Sequence, residues 1–416
     1  MQYRVDKKSG NRLSALGLGC MRFPRNLAVI DMKKAEKIIM TAVENGVNYF
    51  DTAWMYPGSE EALGTVLKKN GVRDKVFIAS KLPIALIKKT ADFDRFFNEE
   101  LLRLKTDRID YYLMHMLTDA AFWKSLVELG AEDWIAGKKK SGAVRQIGFS
   151  FHGIGEEFFK ILDLFPWEFC QIQYNYSDEN FQAGVKGLKK AAETMPVIIM
   201  EPLLGGKLAA GLPRKAAEIF RQANLSGISS DKLAGSRSAG FSPAGFSLAG
   251  WGLRWVWNHA EAAVVLSGMN DPAQVLENAA LADLTLPGSL GAAELELYRR
   301  VREVFNALYK IHCTGCGYCM PCPRNVNIPG CFAAYNTSFA MGRFAGWQQY
   351  MTSAAFTSAQ SCGPANCVAC GNCERRCPQK IPIIESLKTL RGRMEPLPFR
   401  IAVAGMRKFL GRRRND

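Results

Sequence analysis

The first 310 residues of this 416-residue chain contain only two cysteines, Cys20 and Cys170. A disulfide scaffold would spread its cysteines more evenly and would follow a signal peptide, whereas the segment Met1–Lys8 lacks the apolar core of a signal peptide. We therefore expect a reducing, cytoplasmic environment. In such an environment the cysteines that cluster later in the chain indicate metal ligands.

The chain also lacks any window of about eighteen uncharged apolar residues, so we expect no transmembrane helix. It carries a formal charge of +15, and because it has no recognised nucleic-acid-binding module, we expect no nucleic acid among its partners. The charge predicts attraction to an acidic electron-transfer protein, or plain solvation of the surface. Residues 396–416 form a basic amphipathic tail, for which peripheral membrane contact and docking on the protein itself are both open.

Over the first 290 residues, short apolar runs alternate with amphipathic stretches. Apolar spacings of three and four predict helices at Met32–Asn45, Ser59–Asn70, Phe93–Leu104 and Trp123–Lys139. The apolar runs predict strands at Leu16–Gly19, Val47–Asp51, Val76–Lys81, Ile109–His115, Gln146–Phe151, Phe169–Tyr174, Val197–Glu201 and Val264–Ser267. Eight strands alternating with helices predict an α/β fold, the (β/α)8 TIM barrel of about 250 residues. A doubly wound sheet also alternates, but the first strand is not followed by its Gly-rich pattern.

The remaining cysteines form two blocks, each ending in Cys-Pro. The second block matches the bacterial ferredoxin pattern, in which the fourth cysteine binds the other cluster, and the first block is one residue short before its last cysteine. Crossed ligation then predicts one [4Fe–4S] cluster on Cys313, Cys316, Cys319 and Cys377. It predicts a second cluster on Cys367, Cys370, Cys373 and Cys322.

A structural zinc site is the alternative for these blocks, because paired C-x2-C knuckles also bind zinc. Closely spaced cysteines that twice end in Cys-Pro favour iron–sulfur clusters. Cys331 and Cys362 fall outside the pattern and are interpreted as packing residues, although Cys362 is close enough in sequence to replace a ligand. Cys20 and Cys170 adjoin predicted strands, where we expect buried packing.

The composition changes sharply after a predicted helix at Ala292–Lys310, because ten of the twelve cysteines lie between residues 311 and 385. We therefore predict a barrel over residues 1–290, a small α-helical, ferredoxin-like iron–sulfur domain over 291–395, and the basic tail. Within the barrel, Asn224–Gly250 is rich in Gly, Ser and Ala. This predicts either a mobile loop over a ligand on the catalytic face or a tolerated insertion.

Four chemically capable residues fall at or just beyond the C-terminal ends of successive predicted strands: Asp51, Tyr56, Lys81 and His115. In a closed barrel these ends converge on one pocket. A phenol has an ordinary pKa near 10, so Tyr56 needs a neighbouring cation to act as an acid near neutral pH. Lys81 can supply that charge, Asp51 can hold Lys81, and His115 can donate to a carbonyl oxygen. Each residue alone has an ordinary structural explanation, and their joint placement favours catalysis.

Several motifs over roughly residues 1–290 resemble the aldo/keto reductase family. They are Asp51–Ala53 with Tyr56, Ser59 and Glu60, then Ser80–Lys81, Asp110–His115, Gly148–Ser150, Gln173–Asn175, Glu201–Gly206, Ser267–Gly268 and Glu277–Asn278. The whole chain resembles the branch of that family with a C-terminal ferredoxin-like domain.

The resemblance implies that Tyr56 is the proton donor, that Lys81 and Asp51 tune it, and that His115 orients the carbonyl of a small carbonyl or alcohol substrate. It also implies a nicotinamide cofactor, NAD(P)H, with Ser150 and Gln173 at the carboxamide. The rest of the dinucleotide would lie along Gly205, Gly206, Ser267, Gly268, Glu277 and Asn278.

Three places differ from the family pattern. Phe151 stands where the family usually has an asparagine that holds the carboxamide, and Met200 and Glu201 occupy the neighbourhood of an aromatic residue that stacks on nicotinamide. Met269 and Asn270 occupy the region of a basic residue that holds the 2′-phosphate of NADP. The choice between NAD and NADP therefore stays open.

These features predict an oxidoreductase whose barrel acts on a small carbonyl or alcohol and whose clusters exchange electrons with an acidic ferredoxin or flavodoxin. Nicotinamide moves two electrons and each cluster moves one, so their coupling normally needs a flavin. A phosphate site after the seventh and eighth strands of a barrel can bind FMN, which makes flavin a second cofactor hypothesis. The alternative function is an electron-transfer or docking module with a non-catalytic or flavin-binding barrel.

Overall fold

The computed structural model describes residues 1–153, 155–226, 245–355 and 362–397. The chain divides into two compact units, Met1–Phe305 and Asn306–Asp416. Most of the predicted loop at Asn224–Gly250 and nearly all of the predicted tail lie outside the described residues. Across the described ranges, every helix is too short or too polar to span a lipid bilayer.

Eight parallel strands close into a barrel in the first unit, which confirms the predicted fold class. The strands are β1 Leu16–Gly19, β2 Tyr49–Asp51, β3 Phe77–Leu82, β4 Ile109–Leu117, β5 Val144–Phe151, β6 Phe169–Gln173, β7 Val197–Met200 and β8 Ala262–Ser267. Each strand pairs with the next in sequence, and β8 returns to pair with β1. All eight run in the same direction, so their C-terminal ends form one rim of the barrel.

Helices follow most of the strands and cover the outside of the barrel, because each presents one apolar face. They are α1 Met32–Glu44, α2 Ser59–Lys69, α3 Ala91–Leu104, α4 Ala120–Glu128, α5 Ala131–Lys140, α6 Gly155–Leu164, α7 Gly184–Ala192, α8 Lys207–Ala210, α9 Arg214–Leu225, α10 Leu248–Trp257, α11 Pro272–Leu284 and α12 Ala292–Leu308. The single helix predicted at Trp123–Lys139 is wrong, since α4 and α5 are separated at Gly130, whose φ of +91° is left-handed and ends a helix.

An antiparallel hairpin of Tyr3–Val5 and Arg12–Ser14 precedes β1 at the N-terminal end of the barrel. Its turn contributes Asp6, whose buried carboxylate accepts a 2.8 Å hydrogen bond from the Tyr111 hydroxyl near the start of β4. Buried aromatic and aliphatic side chains fill the barrel beside this contact, among them Tyr49 and Phe169. The hairpin therefore covers this end of the barrel, and the predicted catalytic residues lie at the opposite rim.

The second unit is helical. Its helices are α13 Ile328–Ala340, α14 Arg343–Tyr350, α15 Asn372–Arg376 and α16 Ile383–Met394. A small core joins α13 and α16 through residues such as Phe332, Leu387 and Leu390. Cysteines of both blocks are partly buried against this core, so the thiols and the apolar side chains form one cluster.

Candidate active site and cysteine cavity

Three of the predicted catalytic residues lie on adjacent barrel strands. Asp51 ends β2, Lys81 lies near the end of β3, and His115 lies on β4. The register pairs Asp51 with Ala79 and Lys81 with Leu113, so the three side chains come from neighbouring positions on the rim. All three are buried, with Lys81 only 1% exposed.

The Lys81 ammonium is the centre of this group. It donates hydrogen bonds of 2.6 Å to Asp51 Oδ1 and 2.7 Å to the Thr52 carbonyl oxygen. Its Nζ also lies 4.9 Å from the centroid of the Tyr56 ring. Burial lowers the pKa of Lys81, but the Asp51 carboxylate and the Tyr56 phenol outweigh that effect and the pKa lies above its ordinary value. Lys81 therefore carries a permanent positive charge beside Tyr56.

Tyr56 lies on the loop between β2 and α2 and is half-buried. Its ring stands almost perpendicular to the His115 ring, with 5.9 Å between the centroids. Burial raises the pKa of the Tyr56 phenol, and the Lys81 charge opposes part of that rise. The phenol therefore keeps its proton at neutral pH and can give it up only where a neighbouring cation stabilises the phenolate.

Two histidines face the same cation. The pKa of His115 lies well below its ordinary value because of burial, the Lys81 charge and His152. Burial and Lys81 also lower the pKa of His152, to about 4. Both rings are neutral at physiological pH, and each can donate one N–H hydrogen bond.

The residues predicted at the nicotinamide carboxamide lie on two adjacent strands. The buried Ser150 Oγ on β5 accepts a 2.8 Å hydrogen bond from the Met116 backbone N–H, which leaves its own hydroxyl hydrogen available. Gln173 ends β6 and is half-buried. The register pairs Ser150 with Gln171, one pleat before Gln173, so both predicted residues lie at the same rim.

The residues predicted along the dinucleotide come from the ends of β7 and β8. Gly205 and Gly206 both have left-handed backbone conformations, and the buried Ser267 accepts a 3.2 Å hydrogen bond from Asn278 of α11. Glu277 is half-buried on the same helix. These turns bring bare backbone to the rim, as a phosphate-bearing ligand requires.

Arg22 is a basic residue at this rim that sequence reasoning missed. A Cβ atom placed on Gly205 would lie 2.9 Å from Arg22 Nη2, and one placed on Gly268 would lie 2.9 Å from Arg22 Cδ. Arg22 has no hydrogen-bond or ion-pair partner among the described residues, and its side chain is exposed. Glu201, exposed with a φ of +55°, lies within electrostatic reach of Arg22 and Lys207. The two glycines thus make room for one unpaired guanidinium.

The second unit contains a cavity whose lining includes four of the predicted cluster ligands. The cavity is lined by Cys313, Cys316, Cys319, Cys377 and apolar residues that include Ile328 and Phe332. Three of these cysteines come from the first block and one from the second. The arrangement brings together the four thiols expected from crossed ligation.

The other four predicted ligands lie nearby in the same unit. Cys322, Cys367 and Cys373 pack partly buried against the core, and Cys370 is exposed. Cys373 lies within electrostatic reach of Cys322, the cysteine that crosses from the first block. Within the described residues, no three Cys, His, Asp or Glu side chains converge on a single-ion site.

The four remaining cysteines are buried. Cys331 and Cys362 are outside the lining of the cavity, and the Cys362 sulfur accepts a hydrogen bond from Asn325 Nδ2 at 3.4 Å. Cys20 and Cys170 have no exposed surface, which confirms their expected packing role.

Comparison with known families gives two matches. Residues 15–289 match the aldo/keto reductase family, and residues 312–381 match the 4Fe-4S dicluster domain. The first match covers the whole barrel from β1 to α11, and the second covers both cysteine blocks.

Individual relatives match different shares of the chain. Aldo-keto reductase YhdN of Bacillus subtilis is 27% identical over 302 residues, which are 66% of this chain and 87% of the relative. Protein tas of Escherichia coli is 30% identical over 184 residues, 36% of this chain and about half of that protein (52%). An aldo/keto reductase from Klebsiella pneumoniae, solved in complex with NADP and acetate, shares the fold with a TM-score of 0.56 and 23% identity, over 73% of this chain and 96% of that one.

Proposed function

The chain belongs to the aldo/keto reductase family and carries a 4Fe-4S dicluster domain, and from that premise we propose that it reduces the carbonyl group of a small molecule, or oxidises the corresponding alcohol, at the barrel rim. One observation carries this proposal. The buried Lys81 ammonium lies between the Asp51 carboxylate and the Tyr56 ring, where it stabilises the phenolate that remains once Tyr56 has given its proton away.

In the proposed reduction, Tyr56 donates its hydroxyl proton to the carbonyl oxygen of the substrate. The neutral His115 lies opposite and donates an N–H hydrogen bond to the same oxygen, which orients the carbonyl. Asp51 keeps Lys81 in place through a 2.6 Å ion pair. In the oxidation of an alcohol, the same phenol oxygen takes the proton back.

We propose NADP(H) as the cofactor of the barrel. The turns at Gly205 and Gly268 fit a phosphate group, because they present bare backbone around the unpaired Arg22 guanidinium. Ser150 and Gln173 would hold the carboxamide at the same rim. When bound, the dinucleotide supplies a hydride and each [4Fe–4S] cluster supplies or takes one electron. The Klebsiella pneumoniae neighbour in complex with NADP supports this assignment.

For the second unit we propose two [4Fe–4S] clusters that exchange electrons with an acidic electron-transfer protein in the reducing cytoplasm. The cavity lined by Cys313, Cys316, Cys319 and Cys377 supports crossed ligation for the first cluster. The remaining four ligands, Cys367, Cys370, Cys373 and Cys322, would hold the second.

The proposal is tested by oxidation of NADPH in the presence of a panel of small aldehydes and ketones. The Tyr56→Phe variant removes only the phenolic oxygen, so turnover of every accepted carbonyl should fall by a factor of about 100 to 10,000. Tyr111→Phe is the matched control, because Tyr111 is a buried phenol at the other end of the barrel and should leave turnover unchanged.

Equal turnover by the wild-type and Tyr56→Phe proteins would contradict the acid role of Tyr56. A separate denaturation of the purified protein identifies its small molecules. Release of a flavin in place of a nicotinamide dinucleotide would contradict the cofactor assignment and would support FMN.

A further inference from the structure

The cysteine region has a one-sided charge. Between residues 313 and 380 the chain has five basic residues and one acidic residue, Glu374. The Glu374 carboxylate accepts a 2.8 Å hydrogen bond from the Ile384 backbone N–H, so it is already engaged with the start of α16. The basic side chains of this region therefore have almost no local carboxylate to neutralise them.

Four of these basic residues lie within three residues of a predicted cluster ligand, and we call them the basic rim: Arg324, Arg375, Arg376 and Lys380. Arg324 follows Cys322, Arg375 and Arg376 follow Cys373, and Lys380 follows Cys377 of the first cluster. All four are exposed, and none forms an ion pair with another residue in the described part of the chain. Arg375 donates to the Asn372 side chain, and its Nη1 would lie 3.2 Å from a Cβ atom placed on Gly371, the residue after Cys370. The Arg375 guanidinium therefore lies beside Gly371, the residue that follows the predicted ligand Cys370.

Exposed apolar and thiol side chains lie between the residues of the basic rim in the sequence. Cys370 is exposed, and Val368, two residues before it, is 57% exposed. An apolar centre with a charged surround is the usual composition of a protein–protein interface. The exposed ligand also brings the predicted cluster close to the surface, where electron transfer to a bound protein is fastest because its rate falls steeply with distance.

We propose that Val368–Cys370 and the basic rim form the docking face for an acidic one-electron carrier protein, which exchanges electrons with the cluster held by Cys322, Cys367, Cys370 and Cys373. The inference rests on the proposed iron–sulfur function and adds the place where the partner binds. One electron passes between carrier and cluster, so one is oxidised as the other is reduced, and no bond or proton moves.

Charge and chemistry together select this partner. An anionic membrane or a nucleic acid would also be attracted to the basic rim, but neither accepts or supplies an electron at an exposed cluster. An acidic carrier protein can pair its carboxylates with the four unpaired cations and can also exchange an electron with the proposed cluster. Electrostatic steering would also give it fast, salt-dependent association.

The test uses the full chain with its clusters, prepared without oxygen, and two probes, an acidic plant-type ferredoxin and an acidic flavodoxin. Stopped-flow mixing with each reduced probe measures the second-order rate of electron exchange. We expect at least one probe to react at a rate that falls about tenfold between roughly 0.05 M and 0.5 M salt, because screening weakens steering. The R375E/R376E variant should react about tenfold or more slowly at low salt.

The matched control is K33E/K37E, which makes the same charge change on the exposed face of α1 in the barrel unit and should alter the rate less than about twofold. Iron content is counted for each protein. If the R375E/R376E protein contains less iron than the wild type, the milder R375Q/R376Q variant is used in its place. Its rate of electron exchange should be several-fold lower than that of the wild type.

Salt-independent exchange with both probes, or equal slowing by the control variant, would overturn the docking face. So would a variant that shifts the cluster potential but leaves association unchanged, because the arginines would then tune the cluster alone. Binding to anionic vesicles without reaction with either probe would assign the rim to a membrane. NADPH-linked carbonyl reduction should be unchanged in R375E/R376E, and Tyr56→Phe should leave the exchange rate unchanged, so failure here is distinct from failure of the proposed barrel chemistry.

Discussion

The barrel rim and the cysteine cavity differ in what holds their functional side chains. At the rim, the Lys81 ammonium donates hydrogen bonds of 2.6 Å to Asp51 and 2.7 Å to the Thr52 carbonyl oxygen. In the second unit, Cys313, Cys316, Cys319 and Cys377 line one cavity together with apolar residues such as Ile328 and Phe332. The rim is held by direct bonds among its own groups, whereas the proposed cluster ligands would be joined to one another through iron.

This difference separates two kinds of stability. The barrel closes through backbone pairing of eight strands, so the geometry of the proposed catalytic residues at its rim does not depend on a ligand. The second unit has a small core in which the partly buried cysteines take part, so loss of the proposed clusters would disturb that core.

Loss of a cluster ligand should disrupt the second unit and spare the barrel. Cys319→Ala removes the most deeply buried thiol of the cavity, so iron should fall from about eight to about four per chain. Amide exchange across both cysteine blocks should then increase while exchange in the barrel strands stays slow. Iron analysis and hydrogen-exchange mass spectrometry measure the two effects.

Cys331→Ala is the control, since Cys331 is fully buried in the same core but outside the cavity lining. It should keep all of the iron. A Cys319→Ala protein that retains about eight irons, or one whose barrel strands lose protection together with the second unit, would contradict the contrast.

Lys81→Met should show that the rim is held by a charge pair. The substitution leaves the buried Asp51 carboxylate unpaired, so the free energy of unfolding of the barrel should fall by about 3 to 5 kcal/mol. The pKa of Tyr56 should rise further, because the opposing positive charge is gone. Urea unfolding measures the stability.

The double variant Asp51→Asn/Lys81→Met is the control for the unpaired charge. It removes the unpaired charge and should regain more than half of the lost stability. Equal losses in the single and double variants would mean that packing of the lysine stem, and not its charge, is what the rim requires.

Sequence periodicity was sufficient to predict the barrel, because strand and helix patterns are local and their order allows few topologies. The 4Fe-4S dicluster domain was equally accessible, because the cysteine spacing lies within two short blocks of sequence, and the match over residues 312–381 confirms it. The break at Gly130 was missed, since the apolar spacing continues through it and only the left-handed φ separates α4 from α5.

Arg22 and His152 were missed for a different reason. Each lies outside the motifs, and each reaches the rim only because the barrel closes β1 against β8 and brings β5 beside β4. An arginine after the first strand is common in protein sequences. Its proposed phosphate-binding role becomes evident only when the fold places Gly205 and Gly268 next to it. Contacts of this kind depend on tertiary structure and leave no local signal.

Arg22→Met should weaken cofactor binding without changing the barrel's chemistry. The unpaired guanidinium is proposed to hold a phosphate of the dinucleotide, and a charge-assisted hydrogen bond is worth about 1.5 to 3 kcal/mol. KM for NADPH should therefore rise about tenfold or more, with kcat changed less than about threefold. Arg95→Met, an exposed arginine of α3, should leave both constants unchanged. A fall in kcat at unchanged KM would exclude Arg22 as a phosphate ligand.

The smallest expected effect concerns the stability of the barrel at acidic pH, which should depend on protonation of His152. The pKa of His152 in the folded protein is about 4, against an ordinary value near 6.5. The unfolded chain therefore binds a proton first as the pH falls, so His152 stabilises the fold above pH 6.5 and loses that contribution as the pH falls toward 4. Because the ring is partly exposed, we expect His152→Asn to lose less stability than wild type between pH 7.5 and 5.5, by up to about 1 kcal/mol. Urea unfolding followed by tryptophan fluorescence reports mainly on the barrel unit, because seven of the eight tryptophans lie within residues 1–305. His115 is present in both proteins, so an identical pH dependence in the two would assign the acid response to His115 or to the second unit.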